Sequence, residues 1–195
     1  MTTTPMTSAA DAAPQRRKVR LDFHDSDARW NPRHEQFAYL ANAISTLLPY
    51  LERFLVDCVD GAIDKIPESK TQLRQEMADF CYQERRHNAN HVKFNRMIAS
   101  YGYEQELADA EPYLVEYYAN LRTKGDRFGL AWCEGFETVA PFVGVFMFEH
   151  GEEFGGDHRD RAREFLADRI DETQRHRRNI FTTGTKRRQH NFDCE

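Results

Sequence analysis

Three polar residues interrupt the apolar seam of one segment in this sequence. Glu84, His87 and His91 follow one another at steps of three and four residues, between Phe80 and Phe94 on the same repeat. At about 100° per residue of an α-helix, these side chains converge on one patch. A lone core histidine usually donates to a carbonyl, but a Glu and two His on consecutive inward turns each need a partner. A metal ion would satisfy all three.

Two other segments place carboxylates on or beside an apolar face. Glu52 lies between Leu51 and Leu55, where the alternative to metal binding is a salt bridge to a buried arginine. Glu134 and Glu137 precede a very apolar run and lie only about 60° apart on a helix. Periodicity does not choose between these two, and Glu134 is the predicted ligand with Glu137 as the alternative.

A fourth segment contributes Glu172 and His176, which are one turn apart and near the edge of its apolar side. Taken alone, this pair would be typical of a solvated helix face. Together with the other three segments, it completes the pattern of helical proteins that bind two metal ions through carboxylates. The pattern has a Glu on each of two helices and a Glu and His pair on each of the other two.

The predicted metal ligands are therefore spread over four helices, and the carboxylates among them are the predicted catalytic residues. His91 is an additional candidate with three alternative roles: a metal ligand, a residue that orients a ligand, or a hydrogen-bonded core histidine. The predicted ligands are Glu52, Glu84, His87, His91, Glu134, Glu172 and His176, of which Glu52, Glu84 and Glu134 are the predicted catalytic residues.

Long segments with helical periodicity must position these side chains, so the sequence predicts an all-α fold. Pro49 lies inside the first segment and predicts either a kink or a break there. The segment that contains Val139 to Phe148 is apolar on every side and is expected to be the most deeply buried. The predicted helices span about 35–66, 68–102, 104–121, 126–154 and 157–181, of which the third is an additional short one.

Composition and charge limit the class of protein. The 195 residues are enough for one domain, predicted over 21–182, with a flexible arm at 1–20 and a polar tail at 183–195. The net charge of -5 argues against nucleic-acid binding. No run approaches the ~18 apolar residues of a membrane span. Four scattered cysteines without a CxxC pair are typical of a reducing, cytoplasmic location.

Several stretches of the sequence resemble the bacterial family of predicted metal-dependent hydrolases, whose members look ferritin-like. The matching stretches are VRLDFHDSDARW at 19–30, NAISTLLPYLERF at 42–54, QERRHNANHVKFN at 83–95 and, more loosely, EGFE and DETQRH. The resemblance implies a ferritin-like four-helix bundle that binds metal through Glu52, Glu84, His87 and Glu134, together with Glu172 and His176. The family typically has EExEH at the last motif, where this chain has Thr173 and Gln174.

Mixed carboxylate and imidazole ligands in a ferritin-like bundle are similar to those of di-iron proteins that activate dioxygen. We therefore predict a non-haem di-iron oxidoreductase that uses O₂ and an electron donor on a small, apolar substrate, with Mn or Zn as alternative metals. The sequence does not determine the oligomeric state, although bundles with a broad apolar outer face often form homodimers. The alternatives are a dinuclear hydrolase, in which water is activated by the metal ions, and a metal-binding bundle without catalysis.

Overall fold

The computed structural model describes residues 21, 23 and 27–150. Its elements are α1 (Glu35–Ile63), α2 (Thr71–Ile98), a π-helical turn (Ala99–Tyr103), α3 (Glu104–Arg122) and α4 (Asp126–Glu149). No residue of the described part forms a β-strand, and the predicted all-α bundle is confirmed. The predicted arm at 1–20, the last predicted helix at 157–181 and the tail at 183–195 lie outside the described residues. Among the described helices, none is long and apolar enough to span a membrane.

α1 is a single helix of 29 residues despite the proline in its interior. Of the two predicted outcomes at Pro49, a kink or a break, the break is wrong, and α2 supplies the hydrogen bond that the proline removes. Pro49 has no N–H to donate to the carbonyl of Ser45, four residues earlier. Asn95 Nδ2 donates to that carbonyl at 2.9 Å, and Asn88 Nδ2 donates to the carbonyl of Pro49 at 2.7 Å. Two asparagines of α2 therefore bind the backbone of α1, one at the proline and one a turn before it.

α1 and α2 run antiparallel and form the larger part of the core. Arg74, near the start of α2, donates to the carbonyls of Ile63 and Ile66 at the end of α1, whereas Asn95 pairs with Ser45 in the first half of α1. Each fully buried aliphatic or aromatic side chain contributes about 1.5–3 kcal/mol to the free energy of folding. The apolar core residues of these two helices are Leu51, Phe54, Leu55, Val56, Val59, Ala62, Met77 and Phe80.

The segment before α1 packs across both of these helices. Asn42 Nδ2 donates to the carbonyl of Ala28 at 2.8 Å, and Trp30 Nε1 donates to Asn42 Oδ1 at 3.0 Å. The ring of Phe23 contacts that of Phe94 in α2, with centroids 5.1 Å apart. Phe23, Ala28 and Trp30 of the first matching stretch therefore lie beside the stretches at 42–54 and 83–95.

Glycines with left-handed backbone end α2 and α3. Gly102 has φ of +95° and follows the last helical turn of α2, as the sequence predicts, and Gly125 has φ of +86° between α3 and α4. An L-residue with a side chain rarely adopts such φ values, so glycine is favoured at both positions. α2 begins at Thr71, three residues after the predicted start.

α3 and α4 pack against α1 through aromatic rings. Phe54 contacts Tyr118 of α3 and Trp132 of α4, with ring centroids 5.4 and 5.3 Å apart. Lys65, after the end of α1, forms an ion pair with Asp126 at the start of α4. These contacts make α4 antiparallel to α1.

The expectation that α4 is the most deeply buried helix is wrong. Val139, Phe142, Val143 and Phe146 are between 50% and 69% exposed. Within the described part of the chain, α4 buries only the face that packs against α1. Because the helix is apolar on every side, apolar side chains on its other faces are exposed. The fully buried side chains are instead concentrated in α1 and α2.

Replacing Gly102 by alanine tests the role of its backbone conformation. We expect Gly102→Ala to lower the free energy of unfolding by about 1–2 kcal/mol, because a β-carbon is strained at this φ. A β-carbon at Gly102 would have no heavy atom within 4 Å, so a steric clash does not contribute. The measurement is the midpoint of urea denaturation.

Gly135→Ala is the matched control, because a β-carbon at this position in the interior of α4 also meets nothing within 4 Å. It should raise stability by about 0.5–1 kcal/mol. A Gly102→Ala protein as stable as the wild type would contradict the assignment of a strained helix end.

Candidate metal centre

The antiparallel pairing of α1 and α2 brings three predicted ligands together in the core. Glu52 on α1 and Glu84 and His87 on α2 each offer one ligand atom, and these atoms all lie within 4.8 Å of one another. His87 Nδ1 lies 3.6 Å from Glu84 Oε1. The exposed fractions of Glu52, Glu84 and His87 are 0%, 2% and 5%. Two carboxylates and an imidazole therefore share a site from which solvent is excluded.

The electrostatics of this site favour a cation. Removing a carboxylate from water costs several kcal/mol unless a charge or hydrogen bonds compensate, and two neighbouring carboxylates also repel each other. The negative field extends to the thiol of Cys133. The pKa of this thiol is raised by its hydrogen bond to Cys58 and by burial, and further by the charges of Glu137 and Glu84. A bound divalent ion would offset this concentration of negative charge.

The spacing of the donor atoms fits one metal ion after a small adjustment. Oxygen and nitrogen ligands lie about 2.0–2.2 Å from zinc, so two donors on opposite sides of one ion are about 4 Å apart. The limit of 4.8 Å in the protein exceeds this separation by less than 1 Å. Carboxylate and imidazole donors suit iron, manganese and zinc. Glu52, Glu84 and His87 thus fit a site for one such ion.

His91 lies one turn beyond His87 and connects the cluster to α1. Its Nε2 atom is 3.8 Å from Glu52 Oε1, and its Nδ1 atom is 2.9 Å from Ser45 Oγ. The ring, which belongs to a residue only 8% exposed, therefore has one nitrogen directed to the cluster and the other held by a hydroxyl.

The hydrogen bonds around Ser45 determine which nitrogen of neutral His91 carries the proton. Asn95 donates through Nδ2 to the carbonyl of Ser45, so its Oδ1 faces the Ser45 hydroxyl at 2.8 Å and can only accept. The hydroxyl donates its single proton to Asn95, so it must accept from His91 Nδ1. Nε2 of the neutral ring is then the unprotonated nitrogen, which faces Glu52. We call Ser45, Asn95 and His91 the hydrogen-bond relay.

This relay begins at the proline of α1. The carbonyl of Ser45 is available to Asn95 because Pro49 has no N–H to donate to it. Outer partners of this kind orient histidine ligands and fix their tautomer in metal proteins. Ser45 and Asn95 are residues that the sequence prediction missed. The available signals were Pro49 four residues after Ser45 and Asn95 four residues after His91.

The two candidate glutamates of α4 differ in burial. Glu137 is 2% exposed and lies one turn after the fully buried Cys133, whereas the side chain of Glu134 is half-buried. Glu137 therefore faces the interior, on the side of α4 that packs against α1. Glu172 and His176 lie outside the described residues.

The match to a known protein family covers the residues of the candidate metal centre. The model of a family described as predicted metal-dependent hydrolase matches residues 15–181. The chain belongs to this family. The curated proteins and the solved structures that were searched contain no match. The matched range of this metal-dependent hydrolase family includes Glu52, Glu84 and His87 as well as the whole hydrogen-bond relay.

The relay predicts the behaviour of a Ser45→Ala protein. Without the hydroxyl, His91 loses the acceptor for its Nδ1 proton, and we expect metal affinity to fall about 10- to 100-fold. In the metal-free protein, ¹⁵N NMR of the histidine ring should show the Nδ1–H tautomer in the wild type and a mixture of tautomers in Ser45→Ala.

Thr46→Ala is the matched control, since the Thr46 hydroxyl donates only to the carbonyl of Ala43 in its own helix. Its metal affinity and His91 tautomer should equal those of the wild type. An Nε2–H tautomer of His91 in the wild type would contradict the relay.

Proposed function

We propose that this protein is a non-haem di-iron oxidoreductase that activates dioxygen to oxidise a small, apolar substrate. The observation that carries this proposal is the cluster of Glu52, Glu84 and His87 in the core. We further propose His91 and Glu137 as ligands from the described helices, with Glu137 in the place first predicted for Glu134. Glu172 and His176 are proposed to complete the site from the last predicted helix.

The chemistry of the donor set supports iron. Anionic Glu52 and Glu84 favour the higher charge of an oxidised ion, and neutral imidazoles of His87 and His91 keep the reduced ion accessible. Bound iron would supply the electrons that dioxygen needs. The protein contributes rigid helices that hold the donors, a hydrogen-bond relay that keeps His91 Nε2 unprotonated, and an interior that excludes water.

A groove beside the relay supports an apolar substrate. It has a volume of about 280 Å³, lies between α1, α2 and the first half of α3, and includes Asn95 in its wall. Leu47, Val92, Leu107 and Leu114 make most of this wall apolar. Asn95 is connected through Ser45 and His91 to Glu52. We propose this groove as the binding site for the apolar part of the substrate.

The family description favours hydrolysis as a second candidate function. The same carboxylates would then hold an ion that polarises the substrate and lowers the pKa of a water molecule. Hydrolysis requires no change of oxidation state, so zinc would support it and oxygen would not be needed. These two properties distinguish the candidates.

The first test is anaerobic loading with Fe(II), followed by exposure to air. We expect about two iron ions per chain, as in other carboxylate-bridged helical bundles, and an absorption band that appears only with oxygen. Tight zinc binding with hydrolytic activity and no reaction of the iron form with oxygen would overturn the oxidoreductase proposal in favour of hydrolysis.

One histidine variant tests the assigned ligands, and one glutamate variant is its matched control. His87→Ala should remove metal binding, because Glu52 and Glu84 lose their imidazole partner at the site. Glu76→Ala should bind iron like the wild type, since Glu76 is an equally helical residue of α2, 8% exposed, that pairs with Gln72 instead. Unchanged iron content in His87→Ala would contradict the assigned ligands.

A pair of variants on α4 tests which carboxylate is a ligand. Glu137→Gln removes the buried charge while keeping the side-chain volume, and we expect it to lower the number of bound metal ions. Glu134→Gln changes a half-buried side chain and should leave this number unchanged. Measuring metal per chain after dialysis compares the two directly. Loss of metal in Glu134→Gln alone would support the original sequence prediction instead.

A further inference from the structure

Two buried cysteines meet between α1 and α4, although they are far apart in the sequence. Cys58 on α1 is 1% exposed and Cys133 on α4 is fully buried, and neither forms a disulfide. Their side chains are close enough for each thiol to shift the pKa of the other. The sequence prediction treated these cysteines as scattered, because no CxxC pair announces their contact.

A guanidinium group and a glycine complete the surroundings of this thiol pair. Arg122 Nη1 at the end of α3 donates to Cys58 Sγ at 3.2 Å. On α4, a β-carbon at Gly129 would lie only 2.7 Å from Cys58 Sγ. The backbone of α4 therefore packs directly on this sulfur, one turn before Cys133.

The electrostatic surroundings make Cys58 the more acidic thiol. The hydrogen bond from Cys133 lowers the pKa of Cys58 to about 7, with Arg122 acting in the same direction against burial and the charge of Asp57. The pKa of Cys133 is raised by the same hydrogen bond and by burial. A lowered pKa increases the fraction of Cys58 that is a thiolate near neutral pH, and the thiolate is the reactive form of cysteine.

We propose that Cys58 and Cys133 form a redox-active pair, which hydrogen peroxide converts into a disulfide that links α1 to α4. In the first step the Cys58 thiolate attacks one oxygen of the peroxide. The O–O bond breaks, Cys58 becomes a sulfenic acid, and the released hydroxide takes a proton to form water. Peroxide is the oxidant, and its two oxygen atoms accept the two electrons that the thiols lose.

The second step uses the neighbouring thiol. The sulfur of Cys133 attacks the sulfenic sulfur of Cys58, the S–S bond forms and the S–O bond breaks, and the hydroxide leaves as water with the Cys133 proton. Overall, two thiols and one peroxide give one disulfide and two water molecules. The step depends on the contact between the thiols and not on a bound metal.

Cys81 provides a matched control within the same core. It is fully buried on α2, and its Sγ lies 3.9 Å from the carbonyl of Val56. Burial raises the pKa of its thiol to about 12, and the nearby charge of Asp60 adds to this effect. Cys81 is therefore a neutral thiol, equally buried, for which the same chemistry predicts slow oxidation.

The test treats the full chain with one equivalent of hydrogen peroxide, in a Cys194→Ser background and both with and without a chelator. We expect the intact mass to fall by two hydrogen atoms and peptide mapping to find the Cys58 and Cys133 cross-link. Cys81→Ser should behave like its parent. In Cys133→Ser, Cys58 should instead be trapped as a sulfenic acid by a dimedone reagent.

Arg122→Gln tests the activation of Cys58 without entering the core, because Arg122 is an exposed side chain. In this variant, we expect the oxidation of Cys58 to slow roughly tenfold near neutral pH, because the thiolate fraction of Cys58 falls. Circular dichroism of each variant confirms that the helices are retained.

Three results would overturn the proposal. In the first, the native protein forms no disulfide although its urea-unfolded form does. In the second, Cys81 is oxidised as fast as Cys58. In the third, the disulfide forms only when metal is present. The last result would assign the oxidation to the metal centre. Because the chelated protein is tested separately, failure of the di-iron proposal leaves the thiol result interpretable.

Discussion

The burial of Glu52 and Glu84 in one core constrains the rest of this protein. A pair of carboxylates with almost no solvent contact is costly unless a positive charge or several hydrogen bonds compensate. Both residues belong to long helices held rigidly by apolar neighbours, so the carboxylates cannot move to solvent without disrupting the core. A cation-binding function is therefore the simplest reason for these residues in this position.

The proline of α1 connects backbone structure to the chemistry of that site. Because Pro49 has no N–H, the Ser45 carbonyl accepts a hydrogen bond from Asn95 instead. The orientation of the Asn95 amide then sets the direction of the hydrogen bonds that lead to His91. One side-chain amide thus stabilises an irregular point of a helix and selects the tautomer of a buried histidine. A proline that would otherwise weaken α1 is tolerated because α2 replaces its hydrogen bond.

Three residues important for the two sites lie on one buried face of α4. Gly129, Cys133 and Glu137 are separated by four residues each and are all buried. The glycine allows close packing on Cys58, the cysteine contacts the same sulfur, and the glutamate faces the interior one turn later. The thiol pair and the candidate metal centre are therefore neighbours in one bundle, and the charges of Glu84 and Glu137 act on Cys133.

The sequence by itself determined what is local to one helix. Regular spacing placed Glu84, His87 and His91 on one side of α2, and glycine marked the helix end at Gly102, because both depend only on backbone geometry. Tertiary structure decided which helices meet and how each is rotated about its axis. That rotation buried Glu137 rather than Glu134, exposed Phe142, and joined Cys58 to Cys133 and Ser45 to His91. Periodicity carries no information about such contacts, since they depend on the packing of residues that are distant along the chain.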